Sequence, residues 1–298
     1  MHWMMYQTSI ETFCDEEQIK KWGPMTQNFD CIGCYAQTEL GHGSDISGLE
    51  TTATYDKKTD EFILNTPTIS STKWWPGDMG RFANYALVFA QLIIEDEDGE
   101  KNNYGINPFI VQIRDRDTHK HMPGIKTGEM GPKLGFHAKD NGWMTLNNVR
   151  IPRDNMPCRF AKVDRDGSFS VEGDLRILFS TMLKTRFGII SIGNKILIPL
   201  LTKAIRYSVV RRQFKNISGK KEETKLLDYQ TQQQKIFPIL ALMFAQSVGN
   251  LHLKNLYGQL MEGIKNDDFS LLDIMHHYTS GMKAVYTQDI YEGSLAIR

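Results

Sequence analysis

Hydrophobic residues change their spacing part-way along the chain, and this change constrains the fold more than any other sequence feature. From about residue 31 to 152 they recur at every second position; residues 51–55 and 61–65 predict a β-hairpin around the polar turn at 56–60. After about residue 170 they recur with the period of an α-helix over long stretches. Strands that are flanked by helical blocks, rather than alternating with helices, predict an α+β fold instead of a doubly wound one.

Further elements follow from the same pattern. An almost wholly apolar run at residues 86–94 predicts a strand that is covered on both faces, and the acidic run at 95–103 predicts a solvated loop. Residues 108–113 and 142–146 predict two more strands. The remaining predicted elements are helices, at residues 175–210, at 226–264, and from 271 to the last residue, with a polar separator at 216–223.

Three regions result from this division. Residues 1–30 predict a remnant of an N-terminal helical domain, because MHWMMY at 1–6 resembles the middle of an apolar helix and has no N-cap residue before it. Residues 31–165 predict a β-domain, and residues 166–298 predict a C-terminal helical domain that is incomplete. We therefore expect chain to be missing on both sides of this sequence.

Charge and composition restrict the partners. The 298 residues include 35 basic and 35 acidic side chains, so no overall field directs the chain to nucleic acid, and an anionic ligand must be held by local cations. Residues 187–201 are apolar but short and interrupted, which predicts a buried helix and no membrane span. Four cysteines in so long a chain favour a reducing compartment.

Two motifs remain open from the residues alone. Cys31 and Cys34 have the spacing of a redox or zinc motif, yet no second pair accompanies them, and two small buried residues entering a strand is the alternative. TELGHGSD at residues 38–45 is either an ordinary Gly/Ser turn or a ligand loop, in which Gly41 and Gly43 let the backbone approach a flat or phosphorylated group. GEMGPKLG at 128–135 does not match GxGxxG, which argues against a Rossmann fold.

Several of these segments together resemble the acyl-CoA dehydrogenase and oxidase superfamily, in the version of the peroxisomal-type acyl-CoA oxidases. The resemblance runs in order along nearly the whole chain. It rests on YAQTELGHGSD at 35–45, KWWPG at 73–77, GPKLG at 131–135, DNG at 140–142, KTR at 184–186, AIRYSVVRRQF at 204–214 and LDYQTQQ at 227–233.

The resemblance implies an acyl-CoA dehydrogenase-like fold, FAD as cofactor and fatty acyl-CoA as substrate. Thr38 would contact the pyrimidine side of the flavin ring, Ser44 would donate a hydroxyl hydrogen bond, and the backbone of Gly77 would lie near the ring. Arg211 would reach the FAD pyrophosphate across a subunit interface and Gln230 would contact the neighbour's flavin, which implies a homodimer.

Arg186, in the KTR motif, would lie near the acyl-CoA by the same resemblance. Plainer alternatives stay open: Arg186 as a helix-surface charge, Arg211 as an exposed i,i+4 pair partner, and Trp74 and Trp75, in the KWWPG segment, as core packing. The histidine pairs at 119 and 121 and at 276 and 277 have no ligand set around them, so we expect no metal site.

The activity that the resemblance implies is oxidation of a fatty acyl-CoA to the trans-2-enoyl-CoA, with electrons passed to O2 to give H2O2. Its base is a glutamate, and Glu292 is the one weak candidate; the oxidase register places it inside a helix, so we expect the catalytic glutamate to lie beyond Arg298. The alternative is a catalytically inactive, oxidase-like structural or ligand-binding subunit of a larger assembly. A peroxisomal location is implied, and a mitochondrial one stays open.

Overall fold

A computed structural model describes residues 1–172, 175–215, 222–266 and 268–298. These residues form two compact units, Met1–Thr181 and Met182–Arg298.

The first unit begins with three helical segments, which confirms the helical prediction for this stretch. A π-helical turn, His2–Tyr6, leads into α1, Gln7–Phe13, and α2 follows at Glu16–Gln27. The side chain of Asp15 accepts a hydrogen bond from the backbone of Gln18, whose own side chain binds back to Asp15, so the start of α2 carries a capping box.

Eleven strands follow in this unit. They are β1 Gly33–Ala36, β2 Thr52–Asp56, β3 Glu61–Asn65, β4 Lys73–Gly77, β5 Tyr85–Glu95, β6 Lys101–Gln112, β7 Ile125–Glu129, β8 Asn141–Leu146, β9 Val149–Pro152, β10 Ala161–Val163 and β11 Phe169–Val171. The predicted hairpin is β2 and β3, paired antiparallel. The predicted loop at 95–103 is shorter than expected, because β6 begins at Lys101 and pairs back to Glu95.

Strand β5 organises a six-stranded mixed sheet. Strand β6 pairs antiparallel along its whole length and therefore occupies one edge. Both β1 and β2 pair parallel to the other edge, β1 at Tyr85–Val88 and β2 further along at Gln91–Ile94. Strands β3 and β9 continue the sheet outward from β2.

A second sheet of three strands, in the order β4, β8, β7, packs with the first around one core. Phe62 and Phe109 from the first sheet and Met144 from the second are fully buried in it. Each such side chain contributes about 1.5 to 3 kcal/mol by leaving water. The residues that the sequence predicted as strands at 86–94 and 142–146 lie in these two sheets.

The second unit is helical. Helix α3 is Ser180–Val210, whose first two residues belong to the first unit; β12 Arg212–Lys215 pairs with β13 Glu223–Lys225; α4 is Gln230–Lys265 and α5 is Leu272–Ile297. Leu197, Leu201, Ile236, Met243 and Ile290 form its core. The three predicted long helices are confirmed, whereas most of the predicted separator at 216–223 lies outside the described residues.

Residues 187–201 are helical as predicted, but the interpretation of a fully buried helix is wrong for one side. Ile192 and Ile196 are 51% and 52% exposed, because α4 and α5 cover only one face of α3 within this unit. The helices Arg176–Val210 and Gln230–Lys265 are long and apolar enough to cross a membrane. That is weak support for a span, because core helices of soluble proteins meet the same criterion.

Candidate functional site

The loop between β1 and β2, residues 37–51, is called the site loop below. It runs alongside the segment that leads into β4, so that Thr38 lies next to the paired tryptophans. Three backbone hydrogen bonds join the two segments: Trp74 N to Thr38 O at 2.9 Å, Leu40 N to Thr72 O at 2.8 Å, and Gly41 N to Ser70 O at 2.9 Å.

A buried ion pair fixes the start of this loop. The side chains of Glu39 and Lys73 are both fully buried, and Lys73 Nζ lies 3.0 Å from Glu39 Oε1. The ammonium also donates to Gln37 O at 3.2 Å and Phe89 O at 2.6 Å, so all three of its hydrogens are used. Burial lowers the pKa of Lys73, and the attraction of Glu39 opposes this shift.

The carboxylate of Glu39 also holds the far end of the site loop. It accepts hydrogen bonds from Glu50 N at 2.8 Å, from Thr51 N at 3.0 Å and from the hydroxyl of Thr51. His42 Nδ1 lies 3.0 Å from Glu39 Oε2. Burial alone would raise the pKa of Glu39, but Lys73 and these donors more than offset it, so the pKa of Glu39 lies below its usual value.

The tip of the site loop presents unpaired donors to solvent. The backbone N–H groups of Gly43, Ser44 and Asp45 have no acceptor among the residues that the structure describes. Ser44 is exposed. A Cβ added at Gly43 would meet no atom within 4 Å, whereas one at Gly41 would lie 2.8 Å from the Cβ of Ser70. Gly41 is therefore needed for packing inside the protein, and Gly43 is not.

Strand β4 is irregular just after the residues that pair with the start of the site loop. The pairing of β4 with β8 shifts between Trp74 and Gly77, and Trp75 takes a left-handed backbone with φ of 62°. Asn141 holds it there, donating from Nδ2 to Trp75 O at 2.8 Å. The indole of Trp75 is 56% exposed, so the core-packing alternative is wrong for Trp75, while Trp74 is half-buried.

Gly77 is buried at the end of β4. A Cβ at this position would lie 2.5 Å from Cγ of Met1 and 2.9 Å from Cε of Lys139, whose ammonium pairs with the carboxylate of Asp78. The missing side chain therefore leaves room for both Met1 and Lys139. Thr38 pairs with Trp74 near the start of β4, and Gly77 is the last residue of the same strand.

The other residues that the sequence singled out lie in the second unit. Arg186 on α3 donates from Nη1 to His276 Nδ1 at 3.1 Å and to Ser280 Oγ at 3.2 Å, both on α5. Arg211 follows α3, is exposed, and lies 3.4 Å from the hydroxyl of Tyr207. Gln230 is the exposed first residue of α4. The roles of these three residues stay predictions.

Comparison with known protein families decides what this arrangement belongs to. Residues 34–149 match the model of the acyl-CoA dehydrogenase middle domain, and residues 179–298 match that of the acyl-CoA oxidase C-alpha1 domain. Acyl-coenzyme A oxidase acox-1.2 of Caenorhabditis elegans is 42% identical over 98% of this chain. The chain belongs to the acyl-CoA oxidase family.

Other acyl-CoA oxidases are similarly close to this chain in sequence and structure. Peroxisomal acyl-coenzyme A oxidase 1 of Rattus norvegicus is 44% identical over 91% of this chain. The structure of acyl-CoA oxidase-2 of C. elegans bound with FAD, ascaroside-CoA and ATP superposes with a TM-score of 0.92, at 42% identity over 99% of this chain. The chain spans 43%, 40% and 44% of the lengths of these three relatives. The predicted α+β, acyl-CoA dehydrogenase-like fold is confirmed.

The site loop has the chemistry that an acyl-CoA oxidase needs for FAD. A flavin ring offers a flat apolar face and a polar edge of acceptors. The loop tip offers free N–H donors, and Trp75, which follows the residue that pairs with Thr38, offers an exposed aromatic face. In addition, the buried Nε2 of Gln37 and the buried hydroxyl of Tyr35 have no hydrogen-bond partner among the described residues. These residues fit the cofactor.

Glu292 and the remaining candidates have ordinary surroundings. Glu292 is an exposed residue of α5 whose carboxylate accepts from Gln288. In the described part of the chain no group of three metal-ligating side chains occurs. Cys31 and Cys34 are buried, as the plainer alternative had it, and burial raises the pKa of each thiol to about 12.

Sequence reasoning missed the residues that hold the site together. Glu39 and Lys73 lie within the resemblance motifs and Arg114 lies outside them, although all three are buried. The only sequence signal was that Glu39 and Lys73 each stand beside apolar or aromatic residues within a resemblance motif. Charged residues are so rarely buried that this context alone does not single them out.

Proposed function

We propose that this chain is the part of an FAD-dependent acyl-CoA oxidase that binds the flavin and the acyl-CoA. The complete reaction would oxidise a fatty acyl-CoA to the trans-2-enoyl-CoA and reduce O2 to H2O2. The observation that carries the proposal is the site loop, whose start and end are fixed on Glu39 while its exposed tip leaves the N–H groups of Gly43, Ser44 and Asp45 without an acceptor among the described residues.

The chain's own groups would hold the cofactor. Thr38 and Ser44 supply hydroxyls, Gly43 allows close approach, and Gly77 supplies backbone. At these residues, bound FAD would supply the acceptor for the hydride that leaves the substrate's β-carbon. Arg211 and Gln230 would contribute from a second copy of the chain, which makes a homodimer part of this proposal.

Substrate binding would involve Arg186, whose planar guanidinium can face phosphate or carbonyl oxygens. Its two partners among the described residues, His276 and Ser280, are both bound through Nη1, so Nε and Nη2 of the guanidinium stay available as donors. Proton abstraction needs a carboxylate at the substrate α-carbon, and Glu292, on an exposed helix surface, does not suit that role. Relatives named peroxisomal support a peroxisomal location.

The purified chain, mixed with FAD and desalted, should stay yellow. Without oxygen, palmitoyl-CoA should perturb the absorbance bands of the bound flavin without bleaching them, because Glu292 does not suit proton abstraction. A chain that retains no flavin would overturn the proposal. Retained flavin that palmitoyl-CoA does not perturb would contradict acyl-CoA binding by these 298 residues.

Thr38→Ala should weaken FAD binding about tenfold, because it deletes one hydrogen bond of about 1 to 1.5 kcal/mol to a buried polar edge. Quenching of flavin fluorescence on titration measures the affinity. The unfolding midpoint should stay the same, since Thr38 meets β4 through its backbone carbonyl. Unchanged affinity would remove Thr38 from the site.

The two loop glycines should separate folding from binding. Gly43→Ala should leave the unfolding midpoint unchanged and still lower FAD affinity, because the space at this position is open only while no ligand fills it. Gly41→Ala should lower the unfolding midpoint, because its Cβ would press on Ser70. Equal affinity for wild type and Gly43→Ala would contradict a flavin at the tip.

A further inference from the structure

Thr38 is held between two residues that depend on one buried ammonium. Lys73 Nζ binds the carbonyl of Gln37, which precedes Thr38, and the carboxylate of Glu39, which follows it. The carbonyl of Thr38 accepts from Trp74 N, the residue next to Lys73. The backbone of Thr38 is therefore fixed on both sides by contacts that start from the first two residues of β4.

The same carboxylate closes the site loop. Glu39 binds backbone N–H groups at Glu50 and Thr51, 11 and 12 residues further along. Lys73 in turn is anchored to the core through Phe89 O on β5. One salt bridge thus connects the start of the loop, its end and the central strand of the sheet.

None of the groups that hold the loop closed needs a ligand. The acceptors of Lys73 and most donors to Glu39 are protein groups that are buried in the unit, so the loop can keep its shape before any cofactor arrives. A loop that is ordered in advance loses less conformational entropy on binding. The N–H groups at its tip already have no acceptor among the described residues.

We propose that Glu39 and Lys73 are a positioning pair that orders the site loop before FAD binds and so sets the affinity for FAD. Neither side chain touches the cofactor in this role, because both are fully buried. The inference deepens the proposed function and rests on it.

Three variants test the pair in the full chain. Glu39→Gln keeps the shape and removes the charge, Lys73→Met keeps the length and removes the donors, and Thr51→Val removes one hydroxyl donor to Glu39. The matched control is Phe62→Leu, which lowers stability from the core without touching the site loop. Each protein is measured for unfolding midpoint, for FAD affinity by fluorescence quenching, and for amide hydrogen exchange without FAD.

Without FAD, Glu39→Gln and Lys73→Met should speed exchange at Leu40, Gly41 and Thr51, whose N–H groups are bonded in the closed loop. Their affinity for FAD should fall at least about tenfold and the bound flavin's absorbance maximum should shift. Thr51→Val should show a smaller change in the same direction and decides the matter if the first two variants do not fold. Phe62→Leu should lower the midpoint and leave affinity and loop exchange unchanged.

Two results would overturn the inference. If Glu39→Gln, Lys73→Met and Thr51→Val bind FAD as tightly as Phe62→Leu at matched folded fractions, the pair contributes to stability and not to FAD affinity. Loop exchange equal to that of the wild type would show that the pair does not order the loop. A wild-type chain that binds no FAD would instead sink the proposed function, and the role of the pair in binding with it.

Discussion

Replacing Arg114 by methionine is expected to lower the free energy of unfolding of the first unit by about 3 to 5 kcal/mol. The guanidinium is buried and donates to Met79 O at 3.0 Å and to Gly80 O at 2.8 Å. It also donates to the carbonyl of Ala83 and the hydroxyl of Thr127. Each buried acceptor that loses its donor costs about 1 to 3 kcal/mol.

Arg114→Lys should recover only part of this loss, because an ammonium cannot reach four acceptors in the planar arrangement of a guanidinium. Arg116→Met is the control: Arg116 is exposed two residues away, and its removal should change the free energy by less than about 0.5 kcal/mol. Urea unfolding followed by tryptophan fluorescence measures all three. A stable Arg114→Met protein would mean that the turn after Gly77 does not depend on this side chain.

That turn explains why Arg114 also matters for binding. Residues 78–83 follow Gly77 directly, and Arg114 donates hydrogen bonds to three of their carbonyls, those of Met79, Gly80 and Ala83. Folded Arg114→Met protein should therefore bind FAD more weakly than the Phe62→Leu control at the same folded fraction. Burial lowers the pKa of Arg114, yet it stays charged at any pH used for such a measurement.

Gly142→Ala should destabilise the first unit by about 3 kcal/mol, an overpacking effect at the upper end of the usual range. The added Cβ would lie 2.3 Å from Gly80 N and 2.7 Å from Gly80 Cα. Both are backbone atoms, so no side chain can rotate away and β8 must separate from the turn that follows β4.

Gly135→Ala provides the comparison, since a Cβ at Gly135 meets nothing within 4 Å. Its unfolding midpoint should equal that of the wild type, whereas Gly142→Ala should unfold at markedly lower urea. Equal midpoints for the two variants would contradict the close approach of β8 to Gly80.

The spacing of hydrophobic residues predicted the hairpin and the long helices, which depend on residues close together in the sequence. The β2–β3 hairpin followed from alternation and a polar turn, and α3, α4 and α5 followed from long helical periodicity. The loop predicted at 95–103 was too long, because Lys101, Asn102 and Asn103 are polar residues that the end of β5 nevertheless pairs. Edge pairing of polar residues leaves no hydrophobic signal.

Contacts between residues far apart in the sequence could not be predicted from it. The alternation of apolar and polar residues does not predict that β1 and β2 pair parallel to the same edge of β5, because that pairing joins residues about 40 to 50 positions apart. The left-handed backbone of Trp75 depends on Asn141, which is distant in sequence. For the site, the resemblance supplied Thr38 and Gly77, while burial of Glu39 and Lys73 became visible only once both sheets were assembled.

The way β5 receives two strands on one edge also has a practical consequence for protein engineering. Strand β1 ends opposite Val88 and β2 begins opposite Gln91, so the ends of the site loop sit about 10 Å apart along one strand, whatever lies between them. Lengthening a loop between fixed ends costs little free energy. The exposed tip of the site loop, residues 43–45, can therefore be replaced by segments of different length. Glu39, Glu50 and Thr51 must be kept, so that the ammonium of Lys73 stays paired and the register of the sheet stays intact.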